Sequence, residues 1–394
     1  MKKALITKIV IFLIFVFIFP VYGESLNIDF SKKIDDVFSK FNTVGGSYVV
    51  YYKGEKVYSH NYGHSYRINS ELVDNSTKFR VASISKMVTA VGVMQLVEKG
   101  LINLDSEIGD ILGYKIRNPY YSDYPITIRM LLCHTSSIQD TARSAHNRGT
   151  IKQMLGPNRV NDNSFIKQKP GSKYQYSNFA FGLLGSIIEK VTGVSVDDYM
   201  RNNVFKPMDI DASYYAKNLK DKNIAARYYN DTCVATVEYY INEEKENKYD
   251  PERNYSTVIG NLWISSDDLS KILCMLSGNG FFNNSQILKK STVENMRKPQ
   301  KGEFYITADT PYCLGMEMKD NIIEGIKLLG HQGLYYSSYC DAFFDYNNML
   351  TMVLLNNGIK VVRIDGTNSM ARELFMLTYK YLIQLPDNPY LVVN

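Results

Sequence analysis

The sequence has few of the side chains that most often mark metal or redox sites. Its 394 residues include one tryptophan and five cysteines, and the cysteines form no Cys-x-x-Cys pair. Such scattered cysteines argue against a zinc or redox motif, and we expect most of Cys133, Cys233, Cys274, Cys313 and Cys340 to be buried apolar fillers. Among the five histidines, His60 and His64 share a predicted hairpin without an acidic neighbour. We therefore expect neither a metal nor a cofactor.

The sequence also has almost no excess of one charge over the other. Without Lys2, Lys3 and Lys8, the remaining 42 lysines and arginines face 40 aspartates and glutamates. A nucleic-acid-binding surface needs a clear basic excess, so nothing in the charge balance favours nucleic acid as a partner.

A long apolar run occurs only at the N-terminus. Three lysines precede eleven apolar residues, Ile9 to Phe19, which are followed by Pro20 and the small-residue site Val21-Tyr22-Gly23. This layout predicts a secretory signal peptide over residues 1–23, since eleven residues are too short to span a bilayer comfortably. We expect cleavage near Gly23, with an uncleaved anchor as the alternative, and a soluble remainder outside the cell.

The most informative stretch is Phe79 to Gly100, FRVASISKMVTAVGVMQLVEKG. Its apolar residues recur at helical spacing from Ile84 and leave little polar surface, which predicts a buried helix. Ser83 stands at its start, and Gly100 is suited to end it. Ser83 and Lys86 are therefore expected three residues apart on one helix, where their side chains can meet.

This pair can carry nucleophilic catalysis. A serine hydroxyl needs a base, and burial lowers the pKa of a lysine enough for the neutral amine to act as one. The helix N-terminus also stabilises negative charge on an attacked carbonyl. The structural alternative is an N-cap serine beside a surface lysine. A second Ser-x-x-Lys, Ser164 to Lys167, runs into Pro170-Gly171 without a buried helix, so we favour Ser83.

The order of elements predicts an α/β (α+β) fold. Strand patterns precede the helix at Ser83, helices and loops follow it, and strands return before a final helix. We expect residues 24–100 and 257–394 to share an antiparallel sheet flanked by helices. Residues 101–256 would form an inserted, mainly helical subdomain, with the site in the cleft. Strands are also predicted at Cys233 to Ile241 and Cys313 to Met318, and His134 is predicted to cap a helix C-terminus.

Tyr176-Ser177-Asn178, between a Pro-Gly turn and an apolar helix, is a second candidate motif. The phenol of Tyr176 can relay a proton beside Lys86, and the amide of Asn178 can hold a substrate carbonyl or the lysine itself. Tyr-x-Asn alone is weak, since it recurs at Tyr228 and Tyr346. A tyrosine and an asparagine packed in a loop are the structural alternative.

Gly330-His331-Gln332-Gly333-Leu334 is the third candidate and contains the sole His-x-Gly of the sequence. A glycine in a strand lets the backbone come close to a bound group. We expect the N–H of Leu334 to pair with that of Ser83 as an oxyanion hole.

In this order and spacing, Ser83-Ile-Ser-Lys86, Tyr176-Ser-Asn178 and His331-Gln-Gly333 resemble the three motifs of the penicillin-recognising serine hydrolases. This family contains class C β-lactamases, low-molecular-mass D,D-carboxypeptidases, D-aminopeptidases and esterases. The resemblance covers about residues 30–382. It implies a β-lactamase-like sandwich with a helical subdomain, and acyl-enzyme chemistry at Ser83.

The sequence also departs from the family pattern. His331-Gln-Gly333 stands where many members have Lys-Thr-Gly, which replaces a fixed charge by a group titrating near neutrality. Ser137 replaces the glycine of His-Thr-Ser-Gly, and Leu334-Tyr-Tyr-Ser-Ser replaces a glycine-rich turn. The first change argues against efficient β-lactamase action. We expect His331 to orient the substrate by hydrogen bonding rather than to bind its carboxylate as a cation.

Taken together, the resemblance implies a bacterial serine hydrolase, secreted or on the outer face of the cell envelope, that acts on D-alanine-containing envelope substrates. D-Alanyl-D-alanine carboxypeptidase action is the first expectation. The alternatives are a β-lactamase, an esterase, including a D-alanyl esterase of teichoic acid, and an inactive penicillin-binding or regulatory homologue. The expected partners are small-molecule or peptidoglycan-derived substrates and β-lactams, with membrane contact only if the N-terminal segment stays uncleaved.

Overall fold

The computed structural model describes residues 29–146, 148–159, 163–242, 247–300 and 312–384. The predicted signal peptide, residues 1–23, lies outside these ranges. The helices are α1 (residues 29–40), α2 (Ile84–Glu98), α3 (Ile108–Leu112), α4 (Ile128–Leu132), α5 (Ala142–Ala145), α6 (Ile151–Leu155), α7 (Asn178–Thr192), α8 (Val196–Met200), α9 (Val237–Asn242), α10 (Ser266–Ser277), α11 (Lys290–Met296) and α12 (Ser369–Tyr379).

The strands are β1 (Gly45–Tyr52), β2 (Glu55–Tyr66), β3 (Glu71–Leu72), β4 (Phe79–Arg80), β5 (Arg227–Tyr229), β6 (Thr232–Ala235), β7 (Trp263–Ile264), β8 (Phe281–Phe282), β9 (Ser285–Gln286), β10 (Glu317–Ile323), β11 (Ile326–Tyr335), β12 (Ser338–Asp345), β13 (Leu350–Asn356), β14 (Arg363–Ile364) and β15 (Thr367–Asn368).

One antiparallel sheet joins the beginning and the end of the chain. Its seven strands run β10-β11-β12-β13-β1-β2-β3, and β1 pairs with β13 so that Val49 lies opposite Val353. On one face, α1 and α12 pack through apolar side chains, and the hydroxyls of Tyr48 and Thr378 lie 2.6 Å apart. On the other face lie α2 and α10, and α7 packs against α2. The predicted mixed fold, with a large antiparallel sheet flanked by helices, is confirmed.

Helix α2 occupies the centre of the larger core. Every residue from Ile84 to Leu96 is buried, and the helix ends ahead of Gly100, whose φ is +68°. An apolar stripe alone would leave one face in water, but here apolar neighbours surround the helix. The sequence prediction of a fully buried helix is therefore confirmed, and its N-terminus opens at Ser83.

Two predicted strands are partly wrong. Strand β6 ends at Ala235 and helix α9 follows, because the hydroxyl of Thr236 accepts a hydrogen bond from Tyr239 N at 3.2 Å and begins a helical turn. Near Cys313 the chain makes a turn, with Cys313 N bonded to Met316 O and Gly315 at φ +78°. Strand β10 consequently begins only at Glu317. Both turns lie within stretches whose apolar pattern continues unchanged, which is why strands were predicted there.

The chain at the start of β5 is hydrogen-bonded to the ends of β2 and β13. Ala226 N donates to Ser65 O at 2.9 Å, and Tyr228 N donates to Asn357 O at 3.0 Å. The division into lobes at residues 100 and 256 stays a prediction.

Within the described ranges, no single helix is both long and apolar enough to cross a membrane. In the part of the chain that the structure describes, one bent pair passes that test by length and composition, Asn178–Thr192 with Val196–Met208, at an angle of 79°.

Candidate active site

Ser83 lies where β4 passes into α2. The preceding Ala82 has φ +46°, a left-handed conformation that is unusual for alanine and turns the chain sharply into the helix. The side chain of Ser83 makes no capping hydrogen bond to the helix. Its Oγ instead lies 3.0 Å from Lys86 Nζ and accepts a hydrogen bond from the Tyr176 hydroxyl, also at 3.0 Å. The geometry is therefore that of a nucleophile between two proton-handling groups, not that of an N-cap.

Lys86 is fully buried, and its Nζ also donates to Ile259 O at 2.7 Å. Burial disfavours the charged ammonium and lowers the pKa of Lys86 to about 7, although the negative charges of Asp140 and Glu317 act in the opposite direction. Near neutral pH a large share of Lys86 is the free amine. Such an amine can accept the proton of Ser83.

Tyr176 completes the group. Burial raises the pKa of its phenol, so the hydroxyl keeps its proton and can donate it. Lys86 Nζ lies 5.1 Å from the centre of the Tyr176 ring. The structure thus brings together the three residues that the sequence predicted as catalytic, although they come from two motifs 90 residues apart.

His134 supports Tyr176 and does not cap α4 with its side chain. Its ring lies 4.3 Å from that of Tyr176, and its Nδ1 accepts a hydrogen bond from Ser177 N at 3.3 Å. Burial, the largest cause, and the charge of Lys86 lower its pKa well below the ordinary value, so the ring is neutral. The predicted capping of helix carbonyls was wrong, because the left-handed backbone at His134 ends the helical direction before the side chain.

Asn178 is the first residue of α7, and its amide nitrogen donates to Asp140 Oδ2 at 3.0 Å. Asp140 Oδ1 also accepts from Ser177 Oγ at 2.9 Å and from Phe179 N at 2.7 Å. This carboxylate fixes the turn that presents Tyr176. Asp140 was not predicted as a site residue because nothing near it in sequence indicates the turn it holds.

The third motif lies on the part of β11 that extends beyond β10. Pairing with β10 ends at Gly330, whereas pairing with β12 continues to Tyr335. Gln332 N points to the open side, where Glu317 Oε1 lies at 3.5 Å. Because N–H directions alternate along an antiparallel strand, Leu334 N–H faces the same open edge. Opposite it, Tyr339 N donates to Asn356 Oδ1 at 3.1 Å and not to Leu334.

Gly333 holds this edge against the nucleophile segment. A Cβ atom at Gly333 would lie 2.2 Å from Val81 O and 3.4 Å from Ala82 Cβ. Only glycine permits such a close approach of two backbones. The approach places Leu334 beside the start of α2, as a paired oxyanion hole with Ser83 N requires.

His331 is 1% exposed. Its Nδ1 donates to Gln332 O at 2.6 Å, so in the neutral ring Nε2 is the acceptor for the Tyr312 hydroxyl at 2.9 Å. Burial lowers the pKa of His331, and Lys86 adds to this effect, while Glu317, with Oε1 3.3 Å from Nδ1, opposes it. Tyr312 and Glu317 belong to no motif and were not predicted from the sequence as site residues.

The alternative Ser-x-x-Lys does not form such a site. Ser164 lies in a turn with no helix after it, and Lys167 Nζ lies 5.2 Å from the centre of the Tyr120 ring. The prediction that Ser83 is the better nucleophile agrees with this geometry.

The chain is similar in sequence to proteins that are already known. Protein flp of Staphylococcus aureus (strain COL) is 27% identical over 213 residues, which is 51% of this chain and 41% of that protein. The chain thus matches less than half of that relative. Penicillin-binding protein 4* of Bacillus subtilis (strain 168) is 24% identical over 347 residues, covering 85% of this chain and 72% of that protein.

Two solved structures share the fold. The octameric penicillin-binding protein homologue from Pyrococcus abyssi has a TM-score of 0.68 at 23% identity, over 92% of this chain and 78% of that chain. The D-amino acid amidase from Ochrobactrum anthropi SV3, complexed with L-phenylalanine amide, has a TM-score of 0.65 at 19% identity, over 90% and 99%. The model of the Beta-lactamase family matches residues 34–370, most of the sequence. The chain therefore belongs to the Beta-lactamase family, which confirms the resemblance to the penicillin-recognising serine hydrolases.

Proposed function

We propose that the protein is a hydrolase that forms an acyl-enzyme at Ser83 and acts on D-alanine-containing envelope substrates, with D-alanyl-D-alanine peptides first among them. One observation carries the chemistry: Ser83 Oγ lies 3.0 Å from both Lys86 Nζ and the Tyr176 hydroxyl. These are hydrogen-bond distances for proton transfer to and from the nucleophile.

Each group has a defined step. Ser83 Oγ attacks the substrate carbonyl carbon while its proton passes to Lys86 Nζ. The N–H groups of Ser83 and Leu334 hold the oxyanion. The bond to the leaving amine then breaks, and that nitrogen takes the proton of Tyr176, whose phenol recovers it from Lys86. Water attacks the acyl-enzyme by the reverse sequence of proton transfers and releases Ser83.

The proposed substrate class has separate support. An amine leaving group needs a proton donor, and Tyr176 keeps its proton because burial raises its pKa. A penicillin-binding protein is among the sequence relatives, and a penicillin-binding protein homologue and a D-amino acid amidase share the fold. The buried, neutral His331 offers no permanent charge, which argues against efficient β-lactamase action.

The proposed location is outside the cell. The signal-peptide pattern of residues 1–23 supports it. Expression of the full chain with a C-terminal tag tests it: the tag should be found in the culture medium or at the cell surface, and a cytoplasmic tag would refute the proposal.

Covalent labelling tests the chemistry. A fluorescent fluorophosphonate or penicillin should label the intact protein, with the label on Ser83 by peptide mass spectrometry. Ser83→Ala should lose the label, and Ser164→Ala, the matched control, should retain it. Label on Ser164, or undiminished label in Ser83→Ala, would refute the proposed nucleophile.

A substrate panel tests specificity. Release of D-alanine from D-alanyl-D-alanine peptides should exceed its release from D-alanylated teichoic acid, and both should exceed β-lactam hydrolysis. Preference for the teichoic acid would identify an esterase. Failure to turn over even p-nitrophenyl acetate would identify the inactive penicillin-binding or regulatory alternative.

A further inference from the structure

A second, narrow cleft opens beyond the end of β11. Its walls include Arg80, Ala225, Arg227, Tyr240, Trp263 and Tyr335. The predicted chemistry at Ser83 uses none of these side chains. The space between these walls is narrow and suits a small polar group rather than a whole substrate.

Two guanidinium groups give the cleft its positive charge. The Arg80 guanidinium lies 4.4 Å from the centre of the Tyr335 ring, and its Nε donates to Gly260 O at 3.0 Å. The Arg227 guanidinium lies 4.8 Å from the same ring and 4.4 Å from that of Tyr336. Among the described residues, no carboxylate lies within 4.0 Å of either group. Aromatic rings flank both cations, and Arg80 Nη2 also donates to Asn261 Oδ1, so Arg227 is the cation with donor capacity to spare.

Polar atoms in the walls lack partners as well. Arg227 Nε and Trp263 Nε1 are buried donors with no hydrogen bond to any described residue, and Trp263 is 1% exposed. Asn357 also lines the cleft. Its Oδ1 is a buried acceptor with no hydrogen bond from any described residue, whereas its amide nitrogen donates to Ser65 O at 3.0 Å. Leaving buried polar groups unpaired is costly, so such groups usually have a ligand or water. Two unpaired donors, one of them on the Arg227 guanidinium itself, suit an anionic acceptor.

The cleft adjoins the predicted reaction centre. Arg80 precedes Ser83 by three residues, so their Cα atoms are at most about 11 Å apart. Tyr335 directly follows Leu334, whose N–H faces the open edge of β11. A substrate held between the amides of Ser83 and Leu334 can therefore reach the cleft with a short extension.

We place the leaving group of the substrate at the opposite end of the open edge of β11, near His331. His331 bonds to Tyr312, the Tyr312 ring lies 5.0 Å from that of His134, and the His134 ring lies 4.3 Å from that of Tyr176 at a tilt of 30°. Tyr176 is the proposed proton donor to the leaving group, so that group lies toward His331. The acyl part of the substrate then extends the other way, past Leu334 and Tyr335.

We infer that this cleft is a subsite for a carboxylate carried on the acyl part of the substrate, bound chiefly by Arg227 with Arg80 and Trp263. A planar carboxylate fits both the guanidinium fork and the flat aromatic walls. The inference rests on acylation at Ser83 but not on D-alanine as the leaving group.

The test uses two boronic acids that add reversibly to Ser83 Oγ and need no turnover. Both are acylamidomethylboronic acids; one carries a glutaryl group with a free carboxylate, and the other carries its primary amide. Isothermal titration calorimetry with the full chain should give a Kd about tenfold lower for the carboxylate. Added salt should reduce the ratio, because the contact is charged.

Arg227→Gln should bring the ratio of the two Kd values to within about twofold of one, and Arg227→Lys should retain part of the preference. Arg201→Gln is the matched control for lost charge, because Arg201 lies on the surface beside Asp198, and it should keep the ratio. Thermal unfolding curves check that each variant is folded.

Equal Kd values in the unmodified protein would overturn the inference, as would a preference that survives Arg227→Gln. If free acetate competes with neither boronic acid, and the boronic acid with the free carboxylate still binds more tightly than its amide, the cleft binds a carboxylate that is part of the substrate, as inferred. If acetate slows ester turnover but the two boronates bind equally, the cleft holds a separate anion and the inference is wrong. A failure to cleave D-alanyl peptides would refute the proposed substrate and leave these ratios interpretable.

Discussion

At the scale of single residues, burial decides the chemistry of Lys86. A surface lysine titrates near 10.4 and is charged at neutral pH, whereas the buried Lys86 has a pKa of about 7. Its proposed role depends on this shift, because only the neutral amine can accept the proton of Ser83. The pH profile of the reaction should show the same titration.

The first prediction therefore concerns pH. With a neutral ester, kcat/KM should rise about tenfold per pH unit below the pKa of about 7 and level off above it, because protonated Lys86 is inactive as a base. Initial rates between pH 5 and 9 measure this. Lys86→Arg keeps the positive charge but removes the base, and should lower kcat/KM at least about a hundredfold. A flat profile, or an active arginine variant, would contradict the role.

A second prediction separates two roles for His331. Because burial lowers its pKa, the ring is neutral at and above pH 7 and cannot attract a carboxylate by charge. The ratio of kcat/KM for a carboxylate-bearing substrate to that for its neutral analogue should therefore stay constant from pH 7 to 9. Taking the ratio cancels the titration of Lys86.

The variant His331→Lys provides the comparison. It supplies a permanent charge and should shift preference toward substrates with a free carboxylate. If the ratio instead collapses between about pH 6 and 8 in the unmodified protein but not in His331→Lys, the protonated histidine binds the carboxylate and the orienting role is wrong.

At the scale of elements, the position of β11 depends on Gly333. In Gly333→Ala the new Cβ would meet Val81 O at 2.2 Å and push the strand away from the segment before Ser83. A displacement of about 1 Å in an oxyanion hole should lower kcat/KM about a hundredfold. Ester kinetics and thermal unfolding, measured together, distinguish a displaced site from general unfolding.

Gly149→Ala is the control for this change. A Cβ there would meet side-chain atoms of Arg143 and Met154, the nearest at 3.1 Å, and these can move aside. Activity should be retained. If Gly333→Ala is as active as this control, the close approach of the two backbones does not matter for catalysis.

At the scale of the whole molecule, the predicted lobes share one core. The largest apolar cluster contains Val49 and Val353 from the sheet, Val91 from α2 and Leu183 from α7. A site built from α2, α7 and β11 should therefore be lost only when the whole core unfolds. Large chains often unfold in parts, so this is open to test.

The corresponding prediction is a single thermal transition. Circular dichroism at 222 nm and fluorophosphonate labelling of Ser83, followed on the same samples, should show coincident midpoints. Loss of labelling well before the loss of helical signal would show that the insertion opens independently, and that the shared core does not couple the two lobes.

The sequence by itself determined the features that depend on near neighbours. The burial of α2, the hairpin of β1 and β2, and the meeting of Ser83 with Lys86 follow from spacing within one helix or one turn. The order of strands and helices was enough for the mixed fold, and the three motifs were enough for the family. Local pattern failed at Cys233 to Ile241 and near Cys313, where one side-chain cap and one glycine turn outweighed strand propensity.

Only the tertiary structure decided which distant residues complete the site. Asp140, Tyr312 and Glu317 carry no motif, and His134 was assigned the wrong partners because the chain direction after α4 was unknown. The charged cleft beside Tyr335 joins side chains from β4, β5 and β7, far apart in sequence. Contacts of this kind depend on how packed elements cross, and so does the burial that sets the pKa values of Lys86 and His331. Neither leaves a periodic signal along the chain.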